Sequence, residues 1–156
     1  MRRTYSVIAW IIAGCVVVQA AAIAFGFGGM VSFVQDGGVV DKALVESRQA
    51  GAFVGELGFP VHALVGGVVI PLAAIALLVV SFFVKVRGAK MWAGITLGLV
   101  AVQMTLGYAI PDLPYAGLFH GANAMALLLV SVLAALRVGR GQRVGALEPA
   151  SDGIAV

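Results

Sequence analysis

Residues 57–84 read LGFPVHALVGGVVIPLAAIALLVVSFFV, a run without Asp, Glu, Lys or Arg. Three further uncharged runs lie between Arg3 and Asp36, at residues 91–111 and at residues 113–136. Each run is at least as long as the roughly 20 residues that a helix needs to cross a hydrocarbon layer of about 30 Å. These runs predict four membrane-spanning helices, at roughly residues 6–30, 59–84, 91–110 and 115–137.

The composition excludes an ordinary water-soluble domain. Hydrophobic residues make up 62% of the chain and charged residues 11%, against roughly 45–50% and 25% in soluble proteins. A β-barrel is disfavoured because the apolar runs are continuous and not alternating. The single cysteine, Cys15, excludes an internal disulfide and a cysteine-rich metal site. We therefore expect an all-α integral membrane domain over residues 1–143, an up-down-up-down bundle of four helices, followed by a disordered cytoplasmic tail at residues 144–156.

The basic residues predict the orientation of this bundle in the membrane. Of the ten Lys and Arg residues, eight precede the first helix, fill the turn between helices 2 and 3, or follow helix 4. The other two connections carry mainly acids. The positive-inside rule then places both termini in the cytoplasm of a multi-pass protein of the cell membrane. Because the bases are spread over three short segments without interleaved aromatic residues, nucleic-acid binding is not expected.

The long connection at residues 31–59 leaves two interpretations open. Asp41 could cap a short helix with Val40, Leu44 and Val45 on one face, resting on the outer membrane surface. The alternative is a solvated loop. The sequence does not indicate what this connection does.

Two histidines are the candidate site residues, because the predicted spans contain no Asp, Glu, Lys or Arg. His62 lies near the start of helix 2 and His120 near the start of helix 4, so both lie at a similar depth in the outer half of the membrane. Helices 2 and 4 of such a bundle are diagonal, with axes roughly 11–14 Å apart. That spacing allows two imidazoles to bind one iron from opposite sides.

Small residues beside the histidines leave room for a porphyrin. Gly66 follows His62 by one turn, and Gly121 follows His120 directly. We therefore predict a heme b whose iron is bound by His62 and His120 and whose ring lies against Gly66 and Gly121. The alternative for the histidines is a hydrogen-bonding role in helix packing, in a heme-free accessory subunit of a larger membrane complex.

The chain also contains an internal repeat. Residues 16–19 read VVVQ and residues 100–103 read VAVQ, and each helix is followed by a histidine-bearing helix. This pattern predicts two helix pairs related by a pseudo-twofold axis along the membrane normal. Gln19 and Gln103 are amides in apolar helices and need partners. Interhelical hydrogen bonds and contact with the cofactor both remain open, and Gln103 is the better candidate for cofactor binding because it lies closer to the histidine depth.

The segment VQMTLG at residues 102–107, followed by a proline-containing turn and LFH at residues 118–120, resembles the third and fourth helices of the heme A synthase family. It is also similar to small four-helix membrane proteins of unknown function with the same histidine pattern. The resemblance covers helices 2 to 4 and implies that His62 and His120 are the axial ligands of one four-helix unit.

This sequence departs from the synthase pattern in three respects. The synthases fuse two such bundles, whereas this chain has one. Glu56 stands six residues before His62, where the family has a glutamate close to the histidine, and the family's cysteine pair is missing. What the resemblance adds is the possibility of a half-size enzyme that acts as a homodimer. The residues themselves favour electron transfer or heme handling, with a redox partner or quinone at the outer face.

Overall fold

The computed structural model describes residues 1–47 and 51–145, and it is all-helical over these ranges. Its helices are α1 (Arg2–Gln35), α2 (Lys42–Ser47), α3 (Gly58–Leu64), α4 (Ile70–Ser81), α5 (Ala89–Ala109) and α6 (Ala116–Gly145). A π-helical turn at Val65–Val69 joins α3 to α4, so Gly58–Ser81 forms one continuous second span. The predicted all-α fold with four long apolar helices is confirmed.

The helices at both ends of the chain are longer than the sequence predicts. Helix α1 starts at Arg2 and ends at Gln35 instead of covering residues 6–30. Helix α6 continues from the predicted end near residue 137 to Gly145, so the first two residues of the predicted tail are helical. The length of an apolar run predicts only the part of a helix that lies in the bilayer. The helix itself continues into water until residues that terminate helices follow. The remainder of the tail, residues 146–156, lies outside the described residues.

A glycine motif ends α1. Gly37 has a φ of 91°, a backbone conformation that residues other than glycine rarely adopt. The amide of Gly37 donates to the carbonyl of Val34 and the amide of Gly38 to that of Phe33. These two bonds satisfy the last carbonyls of α1 in the manner of a Schellman motif, and they fix where the connection between α1 and α3 begins.

The four spans pack in a ring in the order of the sequence. Helix α1 contacts the second span and α6, and α5 contacts α4 and α6. At one end, Tyr5 donates a 3.0 Å hydrogen bond to the carbonyl of Ala89, and Ser6 donates one of 3.1 Å to that of Ala135. This arrangement leaves the second span and α6 facing each other across the bundle, as the diagonal placement of the two histidines requires.

The buried hydrophobic core fills the half of the bundle that contains Tyr5 and Ala89. Its side chains extend only as far as Val16 on α1, Ile70 on α4, Val100 on α5 and Leu127 on α6. Large side chains on the outside of the spans are exposed, as expected for surfaces that face lipid. The other half of the bundle contains both histidines, and there Phe59 packs against Gly26 and Phe27.

The connection between α1 and α3 contains the predicted short helix. Asp41 accepts a 2.8 Å hydrogen bond from the amide of Leu44 and so caps α2. The predicted short helix with its Asp41 cap is therefore confirmed, whereas its position on the membrane surface stays a prediction. Glu56 accepts hydrogen bonds of 2.6 and 2.7 Å from the amides of Gly51 and Ala52, so its carboxylate holds the loop that leads into α3.

Candidate functional site

His62 and His120 lie side by side across the bundle. Their ring centroids are 6.2 Å apart, and the ring planes are inclined by 50°. His62 extends from α3 and His120 from α6, and both rings are partly buried. The structure thus brings together the two histidines that the sequence places at a similar depth.

Each imidazole is held by a backbone carbonyl of the preceding span. Nδ1 of His62 lies 3.1 Å from the carbonyl oxygen of Gln19, and Nδ1 of His120 lies 3.1 Å from that of Gln103. A carbonyl only accepts hydrogen bonds, so each Nδ1 carries the hydrogen and donates it. The lone pair of each Nε2 is thereby left for a ligand bond, which is how metal-binding histidines are commonly oriented.

The internal repeat is thus repeated in the hydrogen bonds. The glutamine of each VxVQ segment supplies the carbonyl that orients the histidine of the next span. Sequence reasoning found Gln19 and Gln103 through their amide side chains. It missed the carbonyl role because every residue has a carbonyl and nothing in the sequence marks the one that is used.

The separation of the rings fits two axial ligands of one iron. An iron–nitrogen bond is about 2 Å, and the coordinating nitrogen lies roughly 1.2 Å from its ring centroid, so two axial imidazoles have centroids about 6.4 Å apart. The observed distance is 6.2 Å. The residues present therefore fit a heme iron held between them.

The number of protein ligands favours a group that brings its own donor atoms. Within residues 1–47 and 51–145, no cluster of three or more His, Cys, Asp or Glu side chains is placed to bind a metal ion. Structural zinc sites use four protein ligands. Two histidines are sufficient when a porphyrin contributes four equatorial nitrogens.

Three glycines near the two histidines have different surroundings. A methyl group on Gly107 would lie 3.1 Å from Cε1 and 3.3 Å from Nδ1 of His120, so only glycine leaves the ring its position. A methyl group on Gly121 would meet no atom within 4 Å, and this position is exposed. A methyl group on Gly66 would overlap the side-chain amide of Gln19, which places Gly66 against α1.

An amide network supports His120. Asn123 donates hydrogen bonds of 2.6 Å to Oε1 of Gln103 and 2.9 Å to the carbonyl of Leu99. The side chain of Gln103 therefore makes the interhelical hydrogen bond that the sequence left open. Its link to the site runs through its own carbonyl to His120, whereas its direct contact with a cofactor stays a prediction. Asn123 was missed, although an amide three residues after His120 in an apolar helix was a usable signal.

Together the fold and the site define a class: an integral membrane four-helix bundle with a pair of histidines on diagonal spans. No family model, curated protein or solved structure matches this chain. The resemblance to heme A synthases therefore remains a prediction from the motif residues.

Proposed function

We propose that this protein is a small membrane b-type cytochrome that binds one heme near the outer face of the cell membrane, through His62 and His120. The observation that carries the proposal is the 6.2 Å separation of two rings whose Nδ1 atoms are both bonded to carbonyls. This combination leaves the Nε2 lone pair of each neutral imidazole for a ligand bond. It also matches the distance that one iron between them requires.

A bound heme would supply one-electron chemistry by exchange between ferric and ferrous iron. His62 and His120 would each offer a neutral nitrogen ligand to the heme iron, which favours electron transfer or heme carriage over oxygen activation. The carbonyls of Gln19 and Gln103 would orient the two rings for this role.

The orientation predicted from the bases places the histidines near the outer face, with both termini in the cytoplasm. One heme on one side does not carry electrons across a bilayer. We therefore propose that a redox partner or a quinone exchanges electrons with the heme at that face. The protein would act there alone, as a homodimer or within a larger membrane complex. We expect a thiol reagent added to intact cells to label Asp112→Cys, and to label Arg87→Cys only after permeabilisation. The reverse pattern would show that the orientation is the opposite one.

The proposal is tested by purifying the protein from cells supplied with a heme precursor. We expect one heme per chain, a Soret band, a sharp α-band on reduction, and the low-spin spectrum of a six-coordinate iron. His62→Ala and His120→Ala should each lose the six-coordinate spectrum. Leu64→Ala and Leu118→Ala are matched controls, because each lies two residues from a histidine and points outward, 59% and 72% exposed.

Colourless wild-type protein would refute the proposal, as would a six-coordinate spectrum that survives in both histidine variants. Normal assembly of a partner complex by a colourless protein, with both histidines replaced, would instead support the accessory-subunit alternative. Formation of a modified heme by the protein alone would support the half-size enzyme.

A further inference from the structure

The two histidines of the candidate site lie in helical segments of different length and regularity. His120 lies in α6, one unbroken helix from Ala116 to Gly145. His62 lies in α3, a segment of seven residues between a loop and the π-helical turn Val65–Val69. We infer that His62 is the exchangeable axial ligand, and that a small neutral molecule such as CO binds ferrous heme on the His62 side. This inference rests on the proposed heme site.

The π-helical turn follows from the sequence around Pro71. Proline has no amide hydrogen and its ring clashes with the carbonyl four residues earlier, which here belongs to Gly67. The turn relieves this clash by an extra residue, so the amide of Ile70 bonds to the carbonyl of Val65, five residues back. Two consecutive glycines within the turn, Gly66 and Gly67, add little side-chain packing to hold it.

A π-helical turn gives His62 a defined way to move. Each residue of a helix corresponds to a rotation of about 100°. If the extra residue is lost or shifted along the helix, the segment before it rotates by that amount. His62 precedes the turn by three residues, so the same change would carry its ring away from the point that it shares with His120.

The hydrogen bonds around the two histidines also differ, with more of them on the His120 side. The carbonyl that holds His120 belongs to Gln103, whose side chain is itself fixed by Asn123. At the equivalent position after His62 the chain has Val65, which has no side-chain amide. The side chain of Gln19 lies against Gly66 in the π-helical turn instead. Each imidazole is held by one carbonyl, but the residue that supplies the carbonyl to His120 is also hydrogen-bonded through its side chain to α6.

The exchange step is a ligand substitution without change of oxidation state. The bond between ferrous iron and Nε2 of His62 breaks, and its electron pair stays on the imidazole. CO then donates its carbon lone pair to the vacated position, while His120 remains bound on the opposite side.

The first test adds CO to the reduced wild-type protein and compares it with the two histidine variants. After photolysis of the CO complex, the iron–histidine stretching frequency reports which histidine stays bound. We expect the wild-type frequency to match that of His62→Ala, in which only His120 is available. A match to His120→Ala, or a heme-loaded wild-type protein that binds no CO, would overturn the inference. Protein without heme would instead refute the proposed function.

The second test stiffens the π-helical turn. A methyl group on Gly67 would make an ordinary 3.8 Å contact with the hydroxyl of Tyr108, so Gly67→Ala is sterically tolerated. We expect CO association to slow about fivefold, the factor given by the difference in helix propensity between Gly and Ala. Gly94→Ala in α5, where a methyl group meets no atom within 4 Å, is the matched control and should bind CO at the wild-type rate. Equal rates in all three proteins would contradict the hinge.

A third measurement uses the heme-free protein and so does not depend on loading. Amide hydrogens of Val65–Val69 should exchange faster than those of the turn of α6 that follows His120. Equal protection of the two segments would overturn the inference even if the Gly67 variant fails to fold.

Discussion

Replacing Gly107 by alanine is expected to weaken heme binding without weakening the helix that carries it. The added methyl group would lie 3.1 Å from Cε1 and 3.3 Å from Nδ1 of His120. Comfortable contacts between such atoms are about 3.5–4.0 Å. The imidazole must therefore retreat by roughly 0.5 Å, which is a large displacement for a ligand whose bond to iron is only about 2 Å long.

The retreat also breaks the bond that orients the ring. Nδ1 of His120 is 3.1 Å from the carbonyl oxygen of Gln103, and a shift of about 0.5 Å takes this distance beyond hydrogen-bonding range. Loss of such an outer partner typically lowers metal affinity by about 10–100-fold. We therefore expect the Kd for heme to rise at least about tenfold, which corresponds to about 1.4 kcal/mol.

The assay is a titration of heme into heme-free protein in lipid nanodiscs, followed by the Soret band. Gly98→Ala is the matched control, because it lies on the same helix and its methyl group would meet no atom within 4 Å. Alanine is a better helix former than glycine by about 1 kcal/mol, so neither variant should unfold more easily than wild type. If Gly107→Ala binds heme as tightly as Gly98→Ala, the assigned position of His120 is wrong.

Two further predictions concern the surroundings of the site. Asn123→Ala removes both interhelical hydrogen bonds of that amide. At roughly 0.6 kcal/mol for each bond in a membrane, the free energy of unfolding should fall by about 1 kcal/mol. An unchanged free energy of unfolding in a detergent-denaturation titration would show that the network contributes nothing. Gly29→Ala would place a methyl group onto the carbonyl of Val54 and push this segment away from α1. Limited proteolysis should therefore cut the connection between α1 and α3 faster. Its neighbour Gly28, where a methyl group meets no atom within 4 Å, provides the control, and equal cleavage of both variants would contradict the close packing of α1 on this segment.

The close packing at the end of the bundle that contains Gly26 and Phe59 could not be predicted from the sequence. Gly26 of α1 is buried against the ring of Phe59, and Gly58 lies against the backbone of α1. Small residues permit such approaches in any membrane protein. Which glycine meets which neighbour depends on the rotation of each helix about its axis, and only the packing of side chains sets that rotation.

The linear order of charges and apolar residues was enough to determine the four long helices and the shared depth of the two histidines. Both follow from the same physical cause: a backbone without water must satisfy its own hydrogen bonds over the thickness of the bilayer, and charges collect at its edges. Only the tertiary structure decided how the imidazoles are oriented, through the carbonyls of Gln19 and Gln103. It also decided that Asn123 supports one side alone and that a π-helical turn follows the other. These features depend on backbone atoms that all residues share and on contacts between spans far apart in sequence, so no local pattern specifies them.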